Sequence, residues 1–434
     1  MILIYSHKLT NRLKYIFKTL FTDILEVPIN FTDNIDEFEA TNSPKINYSN
    51  AALKSGIYFQ STSILFDSGI HEQEINIFTH NNYSCFYRTG KESLLPFDPF
   101  AASFYLISRY EEYLPHLRDQ HDRFIAKESI ASQHNFLNEP LVNIWLKDII
   151  SIIQIQYPSF KFPTRKFNYL STIDIDNAYC YKHKGFIRSI GGLLKSLLKE
   201  KDFKQRCGVI FNGNKDPFDT YDYQFQIHKK YNIKPIYFLL LADYGMNDKN
   251  ISVKNSTFQS LIKKISDYYE VGIHPSYASN NNVEILTKEI NRLQKITHRN
   301  VTKSRQHFLK LNLPETYQNL IDNDIFSDYT MGYAETSGFR ASICSPFYFY
   351  DLDIESETKL KIYPFTVMEA TYQYYKNSTP EAALNEILDL LEKVKKVDGT
   401  FISVWHNESL SDEGIWEGWK IVYEKMLMEA INNN

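Results

Sequence analysis

The sequence predicts an α/β fold in which parallel strands alternate with crossover helices, and two observations carry that expectation. From Phe167 onward, apolar runs of strand length are separated by segments with apolar residues at helical spacing, the pattern of parallel strands covered by helices, as a sheet or a barrel. The polar residues that look chemical gather at the ends of these inferred strands, where the loops of a β/α barrel build an active site.

A chain of 434 residues is more than one compact core usually takes, so two domains are expected. With 43% hydrophobic and 15% aromatic residues there is material for sizeable cores, which argues against disorder. A net charge of -4 means that nothing in the overall balance points to a nucleic-acid partner, whose phosphates call for a clustered Lys/Arg surface. Cys85, Cys180, Cys207 and Cys344 stand far apart with no C-x-x-C pair, so neither a disulfide framework nor a thiolate zinc site is indicated, and a reducing compartment fits best. The opening "MILIYSHK" has only a short apolar start and lacks the apolar core and cleavage site of a signal peptide, from which a cytoplasmic location is expected. No run approaches the ~18 apolar residues of a membrane span.

Along the chain, "ILIYS" reads as a strand, "LTNRLKYIFKTLF" as a helix capped near Thr10 or Asn11, and "GIYFQSTSILF" as a second strand. Residues 97–117 and 139–155 carry apolar residues at helical spacing and read as packed helices. The segment "YPSFKFPTRKF", with Pro158 and Pro163, is the best linker candidate, so the first domain is placed at residues 1–158 and the second at 165–434. In the second, strands are expected at "FNYLSTIDID", "KPIYFLLLAD", "VGIHPS", "VTKSRQHF", "LKIYPFTVME" and "TFISVWHNE". Helices are expected between them, with a long helical insert after the first strand and a last helix from Trp416.

Asp174 and Asp176 are separated by one residue at the end of the first of these strands, and residues i and i+2 of a strand share a face. Both carboxylates can therefore reach one site, one holding a cation and the other taking a proton from water; Asp pairs also begin turns and cap helices. His274, Arg305 and His307, Glu369 and His406 stand at the ends of four later strands. A histidine there serves as a metal ligand or as an acid near neutral pH, or simply as a buried residue bonded to the backbone.

These residues resemble the motifs of the polysaccharide deacetylases, the NodB-homology group of carbohydrate esterase family 4, over about residues 168–430. The resemblance implies a distorted (β/α) barrel of NodB-homology type, preceded here by a smaller N-terminal α/β and helical domain. It also implies a bacterial metal-dependent hydrolase that removes acetyl groups from sugars. "TIDID" resembles the family's Thr-Phe-Asp-Asp, making Asp174 the counterpart of the catalytic base and Asp176 that of a metal ligand. "HPSYA" resembles its His-Ser/Thr-x-x-His, with His274 as the first ligand but Ala278 where the second should stand. Arg305 matches the arginine of the third motif, and His307 occupies the place of its usual proline. "VWH" resembles the last motif and gives His406 the role of the acid. If His307 takes the vacant coordination position, the ligands are Asp176, His274 and His307, a set that suits zinc or a similar divalent ion. The stretches "DYTMGYAETSGFRAS" and "PFTVMEATY" resemble a divergent branch of the group. They add Asp328, Arg340 and Glu369 as catalytic candidates, with Asp328 and Arg340 expected to pair and orient the site.

The partner so implied is an acetylated sugar or polysaccharide precursor. Residues 182–206 hold eight Lys/Arg against two Asp/Glu around the amphipathic run "FIRSIGGLLKSLL", which reads either as a solvated helix face or as a lid that touches an anionic membrane surface. Two other functions stay open: a barrel that binds glycans without hydrolysis, consistent with Ala278, and a metal-free glycosidase using two carboxylates such as Asp176 and Glu369.

Overall fold

The computed structural model describes residues 1–196 and 200–432. Near the N-terminus, strands β1 (Ile2–Tyr5), β2 (Ile29–Thr32), β3 (Lys45–Ser49) and β4 (Ile57–Gln60) form a parallel sheet in the order β2-β1-β3-β4. The helix expected after β1 starts at Asn11, where the Thr10 side chain accepts a hydrogen bond from the Leu13 amide, and turns π-helical from Lys18 to Ile24. A longer helix further on, Pro99–Ile107, is capped by Asp98, which accepts from the Phe100 and Ala101 amides, with proline at its first position as helix starts favour. The single helix expected over 97–117 does not form, because the chain breaks at Arg109, which takes a left-handed conformation (φ +54°). The helix Leu141–Gln156 matches its expectation closely. A hairpin of β5 (Phe78–His80) and β6 (Tyr83–Cys85) precedes the helix Pro99–Ile107 in sequence.

The C-terminal part holds a second sheet of nine strands. These are β7 (Asn168–Ile175), β8 (Ile236–Leu239), β9 (Glu270–Ile273), β10 (Lys303–Ser304), β11 (Ser327–Asp328), β12 (Phe347–Asp351), β13 (Ser356–Ile362), β14 (Val367–Met368) and β15 (Thr400–His406). Their order is β12-β13-β11-β10-β9-β8-β7-β15-β14, and every neighbour is parallel except β12 and β13. Helices Ser256–Tyr268, Val283–Thr297, Glu315–Asp322 and Pro380–Lys396 cross between parallel strands. The expected strand "LKIYPFTVME" divides into β13 and β14. The segment spanning them bonds to β11 through the Tyr363 amide and Asp328 carbonyl, and to β15 through the Thr366 amide and Ile402 carbonyl. One segment therefore draws the two ends of the sheet towards each other, although among the described residues no continuous ladder closes a barrel.

Register places the polar residues. Pairing of β15 with β7 sets His406 beside Asp174, and Ser304 of β10 lies against Ile273 of β9, so Arg305 and His274 leave their strands together. The close approach requires Gly272: a Cβ there would stand 2.8 Å from the Lys303 carbonyl oxygen and 2.6 Å from the Phe238 ring, closer than packed atoms approach. The basic segment 182–206 is helical over Phe186–Ser196 and Glu200–Phe211, with residues 197–199 outside the described residues.

Buried apolar residues of both sheets belong to one contiguous core. Tyr15 donates to the Tyr348 carbonyl at 2.7 Å, and Arg12 to Glu355 at 2.8 Å. The expected Asp328–Arg340 pair does not form. Arg340 instead binds Glu112 with Nε and a terminal nitrogen at 2.9 and 2.6 Å, and Arg109 binds the same carboxylate at 2.7 Å. Asp328 accepts from Ser304 at 2.7 Å and from the Thr330 hydroxyl at 2.8 Å. The physical reason is proximity: the left-handed turn at Arg109 brings two buried guanidiniums onto one buried carboxylate, and Asp328 is already satisfied by hydroxyls.

Burial opposes the charge of Glu112, but Arg340 and Arg109 outweigh it and hold its carboxyl down to about 2. That value lies below the ordinary carboxylate value of about 4.3. The stabilisation is therefore complete above the ordinary value and is lost as pH falls towards 2. Glu112→Gln is expected to lower stability at pH 7 by about 3–5 kcal/mol, because it leaves buried charge uncompensated, and to flatten the fall in stability between pH 4 and 2. Chemical denaturation of both proteins at several pH values measures this; equal stability at pH 7 contradicts it.

Candidate metal centre

The site lies at the C-terminal ends of the parallel strands. Asp174 is the penultimate residue of β7 and is buried, while Asp176 follows the strand and is partly exposed. His274 follows β9, Arg305 and His307 follow β10, Glu369 follows β14, and His406 ends β15. The strand expected over "VTKSRQHF" is only two residues long, because the chain leaves the sheet at Arg305 and makes a turn over His307–Leu309 in which Phe308 and Leu309 are both left-handed. That departure aims His307 back over the strand ends.

Two imidazoles converge on one carboxylate. His274 Nε2 lies 3.1 Å from Asp176 Oδ1, and His307 Nε2 lies 3.4 Å from Asp176 Oδ2. Each ring is fixed from behind: His274 Nδ1 donates to the Arg305 carbonyl, and His307 Nδ1 donates to Asp248 at 2.9 Å. With the Nδ1 proton so committed, the Nε2 of a neutral ring carries a lone pair, and that lone pair faces a carboxylate oxygen. Two acceptors face each other at hydrogen-bond distance only when a second proton or a cation lies between them. Asp176 Oδ1 is buried and accepts no hydrogen bond.

These donors fit a divalent cation. One donor atom from each of Asp176, His274 and His307 lies within 4.8 Å of the others. Ligands bound about 2.1 Å from a tetrahedral ion stand about 3.4 Å apart, close to the nitrogen–oxygen separations found here. Nδ1 bonds to a carbonyl or carboxylate are the usual support of metal-binding histidines. The charge balance agrees. Burial opposes the positive charge of His307, but Asp176 and Asp248 outweigh it and lift its pKa to about 9. Burial likewise opposes the charge of Asp176, and His307 and His274 hold it well below the usual carboxylate range. The site favours positive charge at the point where the three side chains meet.

Around this triad stand two further pairs. Arg305 is fully buried, with Nε 3.4 Å from Asp174 Oδ1. His406 lies with Nδ1 2.9 Å from Glu369 and Nε2 3.9 Å from Asp176. Burial opposes the charge of His406, but Glu369, Asp176 and Asp174 outweigh it and raise its pKa well above the ordinary histidine value. A cleft of about 140 Å³ opens above these groups, lined by Asp174, Asp176, His274, His307, His406 and the aromatic side chains of Phe308, Tyr374 and Tyr375, among others. It is smaller than the ~300–1,000 Å³ of sites that enclose a whole small-molecule ligand, and it suits a small substituent whose parent molecule rests at the mouth.

Seven of the nine sequence candidates are thus brought together: Asp174, Asp176, His274, Arg305, His307, Glu369 and His406. Asp328 sits behind them, bonded to the residue preceding Arg305, and Arg340 lies in the Glu112 cluster. Ala278 offers no ligand; its amide and that of Tyr277 donate to Asp248, which fills the role of holding both this turn and His307. Sequence reasoning missed Asp248 and Arg123. Asp248 stands in the loop after β8 with no spacing to separate it from Asp243, and Arg123 comes from the N-terminal part, far from any inferred strand end.

Residues 2–158 match the model of a family of unknown function (DUF7033). No curated protein matches the chain. Among solved structures, the chain is similar to a protein described as a polysaccharide deacetylase from Mycobacterium smegmatis, at 11% identity and a TM-score of 0.42, covering 63% of this chain and 87% of that one. It is similar to the polysaccharide deacetylase Bc1974 from Bacillus cereus, at 12% identity and a TM-score of 0.30, covering 60% and 87%. A third is a CE4 family pseudoenzyme from Bacillus anthracis, at 14% identity and a TM-score of 0.28, covering 60% of each chain. The solved structures that this chain resembles are polysaccharide deacetylases of the CE4 type and CE4 family pseudoenzymes.

Proposed function

We propose that the protein is a divalent-metal-dependent hydrolase, with zinc as the ion, that removes an acetyl group from an N- or O-acetylated sugar. The observation that carries this reading is the convergence of the His274 and His307 Nε2 atoms on Asp176, with both Nδ1 atoms held from behind. Residues 165–434 form the catalytic domain, a distorted barrel in which the β13–β14 segment draws the sheet round, and residues 1–158 form the N-terminal domain. The substrate is a surface-polysaccharide precursor met in the cytoplasm.

A divalent ion held by Asp176, His274 and His307 supplies Lewis acidity at the floor of the cleft. Asp174 is the general base. It does not belong to the ligand triad, and the Arg305 guanidinium lies beside it, with Nε 3.4 Å from Oδ1. His406 is the general acid: Glu369 fixes its ring through both the His406 amide and Nδ1, leaving Nε2 towards the cleft to protonate the departing amine or hydroxyl. The acyl group enters the cleft, and the sugar rests at its mouth beside the exposed rings of Tyr374 and Tyr375, surfaces that suit the apolar face of a sugar. The glycosidase reading loses support because Glu369 is buried and bonded to His406. A glycan-binding barrel without hydrolysis remains the second reading, favoured by Ala278 in place of a ligand.

After incubation with zinc and desalting, the wild type is expected to hold about one ion per chain and His307→Ala none, as loss of one of three protein ligands predicts. Elemental mass spectrometry decides, and an ion-free wild type would favour the glycan-binding reading. Acetate release from N- and O-acetylated hexosamine oligomers tests the reaction. Asp174→Asn should keep the ion and lose about 10²–10⁴-fold in turnover, the usual contribution of a general base, whereas Asp176→Asn should lose both ion and turnover. An Asp176→Asn protein that keeps full metal content contradicts the ligand set.

A further inference from the structure

The turn that carries His307 is strained. Phe308 and Leu309 follow it with φ of +60° and +53°, a left-handed pair without glycine, and such conformations persist only where the surroundings hold them. The sheet supplies little of that hold, since β10 ends at Ser304 and the His307 amide bonds to Pro275.

Neighbouring loops add some, with Asn280 donating to the Lys310 carbonyl at 2.7 Å and the Tyr277 ring packed on Phe308, and the N-terminal part adds the rest of the contacts on Phe308. A loop closed by the bridge between Arg118 and Phe124 docks on this turn. Arg123 donates from one terminal nitrogen to the Phe308 carbonyl at 2.7 Å and from the other to the Tyr375 hydroxyl at 3.2 Å. Its guanidinium is itself fixed by Asp119, at 2.7 Å from Nε and 2.6 Å from a terminal nitrogen. Asp119 also accepts from the His121 and Arg123 amides at 2.8 and 3.0 Å, so anchor and loop form one unit. The His121 ring packs on the Phe308 ring, with centroids 4.9 Å apart. On the far side of the turn, Arg118 donates to Asn312 at 2.6 Å, and Asn312 donates to Asp122 at 2.9 Å.

We infer that Arg123 is a positioning residue through which the N-terminal region holds the His307 turn in its metal-binding conformation. The inference rests on the metal centre proposed above. Through Arg123 the first 158 residues become part of the centre: the ligand that stands in for the absent side chain at Ala278 is aimed by a guanidinium from outside the nine-stranded sheet. The same side chain ties the turn to Tyr375 at the mouth, so the floor and rim of the cleft share one support.

The test uses the full chain carrying Arg123→Ala, with Asp119→Asn as a milder second variant should the first fail to fold. Amide hydrogen exchange in the metal-free proteins reads the turn, and zinc affinity by competition with a chromogenic chelator reads the ligand. Exchange over residues 306–310 is expected to rise several-fold while that of β7 and β15 stays as in the wild type. Zinc binding is expected to weaken about tenfold or more, the usual cost of removing support behind a metal ligand. Unchanged exchange over 306–310 overturns the inference, as does raised exchange with undiminished zinc affinity. A wild type that binds no zinc would retire the metal reading instead, and raised exchange in the variant would then leave the support of the turn standing by itself.

Discussion

Asp176 stands where two imidazoles point the same nitrogen, and the local structure at the site follows from that arrangement. Because His274 spends its Nδ1 proton on the Arg305 carbonyl and His307 spends its own on Asp248, neither ring can turn a donor towards Asp176 without taking on a second proton. The geometry is costly without a positive charge at its centre and favourable with one. A purely structural histidine would pair its lone pair with a donor.

Several backbone features serve this convergence. Gly272 lets β9 and β10 approach closely, which brings the Arg305 carbonyl within reach of His274. The early end of β10 frees His307 from the sheet. Asp248 accepts both from the turn around Ala278 and from His307, so one buried carboxylate orders the place where a ligand is absent and the side chain that replaces it. The pairing of β7 with β15 sets Asp174 beside His406. A base candidate and an acid candidate thus flank the triad on neighbouring strands, each backed by a partner, Arg305 and Glu369 respectively.

Much of this was legible in the sequence because parallel sheets simplify placement. Short apolar runs ending in Asp174, His274 or His406 locate both a strand and the side of the sheet on which its last polar residue acts, and a period-two pattern puts Asp174 and Asp176 on one face. What stayed hidden depends on contacts distant in sequence. Arg340 carries no local mark that separates pairing with Asp328 from pairing with Glu112, 228 residues away. The strand expected through His307 fails because apolar pattern cannot report a left-handed pair at Phe308 and Leu309. The helix expected over 97–117 fails for the same kind of reason at Arg109, where a buried ion cluster overrides the helical spacing. Arg123 lies in a loop without strand or helix pattern, and only the packing of the two parts reveals its reach to Phe308.

The central claim is a single cation held by Asp176, His274 and His307. Diffraction from zinc-soaked crystals, with anomalous data on both sides of the zinc absorption edge, tests it most directly. The account predicts one edge-dependent peak about 2.0–2.2 Å from Asp176 oxygen and from the Nε2 atoms of His274 and His307, with both Nδ1 bonds kept. A fully soaked crystal with no peak there, or with His307 turned away from it, would contradict the account.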